Sequence, residues 1–230
     1  MEKGKFYEIL VRLYLRLNGY LQTGLISHSA EWGNNATEID SIAVRFPLHS
    51  QPERQVGFCP VLAPSNTTID IVLAEVKTSS VEYNKPLKTG HKLADRNWTQ
   101  ILNWIGLFEQ SELGTLLPLL QSIADSDISS LNGIEANSIY GIVKIRPIIF
   151  SIKSPINEQT PKAYINGDKI IDYLWLCLCP SAKRLDCSTI YPLGNWGLEF
   201  EPIVDYFKQR NESKSGKPTL QELQEKFKLI

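Results

Sequence analysis

The chain has 230 residues, of which 43% are hydrophobic and 21% are charged, and its formal net charge is −1. This length and composition are typical of one large globular domain, or of one domain with an appendage, around a sizeable core. The near-zero net charge excludes a protein that coats nucleic acid through a global positive charge, so any nucleic-acid surface must come from local clusters of basic residues.

The N-terminal residues run straight into an amphipathic pattern rather than into the apolar core of a signal peptide. The apolar stretches are too short and too interrupted to cross a bilayer, so we expect a cytoplasmic protein that binds no membrane. The cysteines lack paired Cys-x-x-Cys spacing, which favours buried thiols over a zinc site. They are Cys59, Cys177, Cys179 and Cys187.

The first predicted element is a helix over residues 6–17, where apolar side chains recur on one stripe. Asn18 and Gly19 supply a stop signal directly after it. Glu8 lies within this helix among apolar neighbours. It is either a solvated surface acid or a candidate for the functional site.

Two strands are predicted next. Residues 20–30 indicate an edge strand, and the polar loop 31–35 leads from it into a second strand over 37–44. The second strand carries Asp40 amid apolar residues. Glu38 shares a face with Asp40 because side chains alternate along a strand.

The chain is organised around a third strand, residues 69–78, in which an aliphatic run ends in Glu75-Val76-Lys77. The preceding segment 47–68 contains four prolines and is predicted to be an insertion, with an added strand over 55–62. Glu75 and Lys77 share one face of the third strand. Pairing it with the second strand would bring Asp40 beside them.

Two carboxylates and an ammonium group in one place suggest a specific chemistry. Mg²⁺ is usually held by one or two carboxylates together with water and phosphate oxygens. A lysine beside such an ion can orient a water, or help to deprotonate it, for attack on a phosphodiester. The pattern therefore predicts a nuclease, with a solvated ion pair at a strand end as the alternative.

These residues resemble the motif of the PD-(D/E)XK nuclease superfamily, whose fold is restriction-endonuclease-like. In this resemblance Asp40 is the first acid, Glu75 the second acid and Lys77 the lysine. The family's proline before the first acid is absent, because Ile39 stands there. The order of elements also resembles the family: an acid-bearing helix, the Asp strand, the Glu-x-Lys strand and then a helix.

The resemblance implies an α/β fold with a central mixed β-sheet flanked by helices and a metal site at the exposed strand ends. It implies Mg²⁺ as cofactor, with Mn²⁺ as a substitute, bound by Asp40, Glu75 and the Val76 carbonyl. Lys77 would position or activate the attacking water.

Two further site residues follow from particular branches of the family. In junction resolvases and Mrr-type restriction enzymes an N-terminal helix presents a glutamate to the metal, and Glu8 is the matching position. Other branches carry a glutamine on the helix after the Glu-x-Lys strand, and Gln100 matches it partially, because Trp104 stands where tyrosine usually follows.

Basic residues accumulate just after the third strand. We expect them to neutralise phosphates on either side of the cut, with a merely solvated loop as the alternative. They are Lys85, Lys88, His91, Lys92 and Arg96.

The remaining pattern completes the domain assignment. It predicts a helix over 93–110, a second helix that is capped by Ser111 and runs through 124, and a loop over 125–137. It then predicts a strand over 138–152 and a helix over 169–179 capped by Asp168. Residues 1–210 are assigned to the nuclease-like domain and 211–230 to a linker and a C-terminal helix that opens with the capping box 219–222.

The predicted function is a Mg²⁺-dependent endonuclease that hydrolyses DNA, from a restriction or defence system, and acts as a homodimer if both strands are cut. A structure-specific repair or recombination nuclease is the alternative within the same chemistry. A non-catalytic nucleic-acid-binding protein that keeps the fold is the alternative from another class.

Overall fold

The computed structural model describes residues 2–28, 35–52, 56–127, 131–153, 164–179 and 193–229. The architecture is α/β, with a mixed six-stranded sheet flanked by helices, as predicted. The strands are β1 (Leu21–His28), β2 (Asn35–Arg45), β3 (Thr68–Lys77), β4 (Ile134–Ser138), β5 (Gly141–Ser151) and β6 (Ile165–Asn166). The helices are α1 (Lys3–Leu17), α2 (Ala94–Ile105), α3 (Gln110–Ser126), α4 (Gly167–Leu178), α5 (Glu201–Glu212) and α6 (Leu220–Lys226).

The sheet has the order β1-β2-β3-β5-β4, and β6 lies beside the end of β5. β1, β2 and β3 are antiparallel neighbours, whereas β3 and β5 are parallel. Because β3 is central and covered on both faces, it is a continuous aliphatic run. The prediction that the first strand lies at an edge is confirmed.

Alternating side chains of the strands supply two cores. Val72 and Ala74 of β3 pack with α1, α4 and α5 on one face of the sheet. Ile71 and Leu73 pack with α2 and α3 on the other face. Glu75 and Lys77 continue the Ile71–Leu73 face to the end of β3, which we call the Glu75 end of the sheet.

A β-bulge lies in β2 at the Glu75 end. Thr23 of β1 pairs with Ile42 and Leu25 pairs with Ile39, so two residues of β2 stand opposite Gly24 alone. Bulges bend a strand and redirect its side chains, and they are over-represented near active sites. One of the two bulged residues is Asp40.

A buried ion network holds the opposite end of the sheet. Asp70 of β3 accepts hydrogen bonds from Arg45 Nη2 at 3.0 Å, from Arg146 Nε at 2.7 Å and from the Tyr20 hydroxyl at 2.8 Å. All four residues are buried. Buried charges persist only when they are paired and hydrogen-bonded, and here the network joins β2, β3 and β5 to Tyr20, the residue directly before β1.

Several predicted elements are wrong in their bounds. The strand predicted over 55–62 does not form in its described part, where Pro60–Leu62 is a three-ten helix with proline in its first turn. The loop predicted over 125–137 contains β4, and the single strand predicted over 138–152 is a β4–β5 hairpin with a turn at Ile139 and Tyr140. Its apolar turn residues concealed the break.

Two helix caps also differ from the prediction. Asn166, not Asp168, caps α4, with its side chain accepting a hydrogen bond from Lys169 N. Glu109, not Ser111, caps α3 in a reciprocal pair with Glu112.

The C-terminal helix is confirmed, and the Thr219 and Glu222 side chains form the predicted capping box. This helix packs on α1, where Gln224 Nε2 donates to the Tyr7 hydroxyl at 2.6 Å. The assignment of residues 211–230 to a separate segment stays a prediction.

The sequence also predicted buried cysteine thiols and apolar stretches too short to cross a bilayer. Cys177 and Cys179 are buried and Cys59 is half-buried, none of these three forms a disulfide, and Cys187 lies outside the described residues. Among the helices that the structure describes, none has both the length and the apolar composition needed to span a bilayer.

Candidate active site

The fold brings Asp40 and Glu75 together. The β2–β3 ladder ends at the pair of Ser41 with Ala74, and Asp40 and Glu75 are the next residues along the two strands. Asp40 Oδ2 accepts a hydrogen bond of 2.6 Å from the backbone N–H of Val76. The carboxylate thereby satisfies an N–H of β3 that lies beyond the last residues paired with β2, and this bond fixes its position.

Lys77 lies with the two acids at the Glu75 end of the sheet. Its Nζ donates to Glu75 Oε1 at 2.5 Å and to the Asn84 side-chain oxygen at 2.8 Å. The predicted triplet of Asp40, Glu75 and Lys77 is therefore assembled at one place in the structure.

Glu75 is more deeply buried than Lys77. Its side chain is 2% exposed, and its Oε2 atom is buried with no hydrogen-bond partner. A buried carboxylate oxygen without a partner is costly, because it has lost its water and gained nothing in return. Such an atom indicates a position that a positive ligand would satisfy.

Burial also controls the protonation of both acids. It raises the pKa of Glu75 to about 7, against the opposing effect of the Lys77 ammonium. It raises the pKa of Asp40 to about 6, against the opposing hydrogen bond from Val76. Both carboxyl groups therefore change charge near neutral pH.

Two more acids stand close enough to act on this pair. The negative charge of Glu8 raises the pKa of Asp40, and that of Glu38 raises the pKa of both Asp40 and Glu75. Glu8 reaches the site from α1 and is paired with Lys5 at 2.8 Å. The predicted Glu8 thus lies within electrostatic reach of Asp40.

The donor set fits a hard cation. Among the described residues, no three Asp, Glu, His or Cys side chains converge closely enough to form a complete cation site. Mg²⁺ needs only one or two carboxylates, because water and phosphate oxygens supply the rest. The Val76 carbonyl faces the same edge of β3 as its N–H, which is the edge on which Asp40 lies.

No family model, curated protein or solved structure matches this chain. The chemistry of the site is therefore inferred from its own donors: two buried carboxylates, one ammonium group and one backbone carbonyl.

The remaining predicted residues lie on α2 and on the segment between β3 and α2. Gln100 is half-buried in the middle of α2, and its approach to the metal stays a prediction. Of the basic cluster, Lys88 is paired with Asp127 at 2.7 Å, and His91 Nδ1 accepts from Leu93 N at 3.2 Å. The exposed members are Lys85, Lys92 and Arg96.

Asn84 is a site residue that sequence reasoning missed. It follows β3 by seven residues, in a segment whose visible feature was its basic side chains. No local pattern shows that its amide oxygen returns to Lys77, because the contact depends on how α2 and α3 hold the segment.

Proposed function

We propose that this protein is a Mg²⁺-dependent nuclease that hydrolyses phosphodiester bonds, with DNA as the substrate and a restriction-endonuclease-like fold. The observation that carries the proposal is the buried Glu75 Oε2 atom without a partner, opposite Asp40 and beside Lys77. A purely structural ion pair would satisfy both carboxylate oxygens.

The order of elements supports the same proposal. Glu8 on α1, Asp40 on β2 and the Glu75–Lys77 pair on β3 come in the order of the superfamily, and α2 follows them. The buried strand β3 ends at this site, where Glu75 is still buried and Val76 and Lys77 are half-buried.

Each residue has a distinct task in the proposed reaction. Asp40, Glu75 and the Val76 carbonyl would hold the ion, and Lys77 would donate a hydrogen bond to the attacking water or to a phosphate oxygen. When bound, Mg²⁺ supplies positive charge for the scissile phosphate. The Lys77 ammonium group already donates a hydrogen bond to the Glu75 carboxylate, so it needs little rearrangement to reach a water or phosphate beside the ion.

The deciding experiment combines cleavage with metal binding. Purified protein is incubated with supercoiled plasmid and with linear, single-stranded and branched DNA, in Mg²⁺ or Mn²⁺, and titration calorimetry measures the affinity for the ion. We expect cleavage by the wild type, none by Asp40→Ala or Glu75→Ala, and wild-type behaviour of Glu225→Ala, which removes an exposed acid of α6.

The outcomes separate the candidate functions. Cleavage that prefers branched over linear DNA would favour the repair or recombination nuclease over the restriction enzyme. Absence of both cleavage and ion binding would refute the proposal and favour a non-catalytic nucleic-acid-binding protein.

A further inference from the structure

Asn84 contacts Lys77 in a way that a solvent-exposed loop residue would not. Its Oδ1 atom accepts a hydrogen bond of 2.8 Å from Lys77 Nζ, while Glu75 Oε1 accepts a second from the same nitrogen. An ammonium group has three donors, and within the described part of the chain these are the two recorded for it. The third N–H remains for a water or a phosphate oxygen.

The segment that carries Asn84 is held from one side by α2. Asn97 Nδ2 donates to the Pro86 carbonyl at 3.0 Å, and Trp98 Nε1 donates to the Leu87 carbonyl at 2.9 Å. Both donors are buried residues of α2. They fix the three-ten turn that begins directly after Asn84.

The end of α3 holds the same segment from the other side. Asp127 accepts from the backbone N–H of Tyr83 at 2.8 Å and from Lys88 Nζ at 2.7 Å. The backbone is thus hydrogen-bonded one residue before Asn84, at Tyr83, and two and three residues after it, at Pro86 and Leu87. An acceptor on such a backbone has a fixed position, unlike one on a free loop.

We infer that Asn84 is a positioning residue, which holds the Lys77 ammonium so that its third N–H points at the attacking water or the scissile phosphate. This inference rests on the proposed nuclease function. Without the Asn84 oxygen, the flexible lysine keeps Glu75 as its one recorded anchor and can rotate about it. The ammonium would then spend much of its time in directions that do not serve the reaction.

The test uses variants that separate the acceptor from the volume of the side chain. Asn84→Leu keeps the size but has no acceptor, Asn84→Ala removes both, and Asn84→Asp keeps an oxygen for Lys77. Asn211→Leu, an exposed position on α5, is the matched control. Thermal melts identify any variant that does not fold.

The first measurement separates kcat from KM on plasmid DNA at saturating Mg²⁺. We expect kcat of Asn84→Leu and Asn84→Ala to fall about 10-fold to 100-fold, the range of a lost positioning contact, with KM and ion affinity within 2-fold to 3-fold. Asn84→Asp should retain most of the wild-type kcat. Equal kcat for Asn84→Leu and the wild type would overturn the inference, as would an equal loss in Asn84→Asp and Asn84→Leu.

The second measurement does not depend on cleavage. Proton–nitrogen NMR of the lysine side chains reports the Lys77 ammonium, whose signal is visible when hydrogen bonds protect it from exchange. We expect this signal in the wild type and Asn84→Asp and its loss in Asn84→Leu. An unchanged signal in Asn84→Leu would overturn the positioning role, whereas a wild type that has this signal but cleaves no DNA would refute the proposed function instead.

Discussion

Glu75→Gln is expected to stabilise the metal-free protein while it removes the function. The pKa of Glu75 is raised by burial to about 7 from the usual 4.5, which means that its ionised form is less favourable in the folded chain than in the unfolded chain. Below pH 4.5 the carboxyl group is neutral in both states and costs the folded chain nothing. As the pH rises through 7 the group ionises in its buried position, and the folded chain loses that stability. Glutamine is neutral at every pH and avoids that loss.

The magnitude follows from the two pKa values. Each pKa unit corresponds to about 1.4 kcal/mol, so the difference between 4.5 and about 7 corresponds to about 3 kcal/mol of unfolding free energy at pH 8. The side chain is 2% exposed, so solvent screening reduces this figure little. For a chain of this length, about 3 kcal/mol raises Tm by roughly 6–12 °C.

The assay is urea denaturation with EDTA at pH 8 and at pH 4, for the wild type, Glu75→Gln and the exposed control Glu225→Gln. We expect Glu75→Gln to gain about 3 kcal/mol over the wild type at pH 8 relative to pH 4, and the control to change by less than about 0.5 kcal/mol. Added Mg²⁺ should stabilise the wild type and have no such effect on Glu75→Gln.

A gain of the same size at both pH values would refute this reasoning, because the benefit would then not come from removing a buried charge. A variant that is less stable than the wild type at pH 8 would show that the ion pair of Glu75 with Lys77 outweighs the burial of the carboxylate.

Three other predictions follow from the same geometry. Lys77→Ala should lower the cleavage rate at least about 100-fold while calorimetry still detects Mg²⁺ binding, and an active variant would exclude lysine from the mechanism. Because both site carboxyl groups must lose their protons to bind the ion, Mg²⁺ affinity should fall about 20-fold from pH 8 to pH 6, and a pH-independent affinity would contradict the assignment of these ligands. Asp70→Ala should lower the free energy of unfolding by about 3–5 kcal/mol in urea denaturation, because it leaves two buried guanidinium groups unpaired, whereas Asp172→Ala, which breaks an exposed pair, should change it by at most about 1 kcal/mol.

The central part of the site could be predicted because its signals are local. An aliphatic run that ends in Glu75-Val76-Lys77 predicts both the buried strand and the charged end, and the strand period sets two of the three groups on one face. The approach of Asp40 to Glu75 was also predicted, because Asp40 lies near the start of one strand and Glu75 near the end of the next, and antiparallel pairing of consecutive strands brings these ends together.

The rest depends on contacts between distant segments. Asn84 reaches Lys77 only because α2 and α3 hold its backbone. The partners of Asp70 were missed for a similar reason, although Arg146 within the apolar strand β5 was a usable signal, since a buried charge requires a counter-charge. The β4–β5 turn was missed because Ile139 and Tyr140 are apolar and resemble strand residues.

The buried ion network around Asp70 restricts how β2 and β3 can be aligned at the candidate active site. Arg45 and Asp70 are directly opposite in the same two strands as Asp40 and Glu75, and five residues separate the two pairs on each strand. The smallest register shift that keeps every side chain on its own face of the sheet is two residues. Such a shift would move one strand by about 6.6 Å along the other and would separate the Asp70 carboxylate from the Arg45 guanidinium. Arg45 lies about 17 Å along the strand from Asp40 and Glu75, and its charge therefore disfavours registers of β2 and β3 that would separate these two acids.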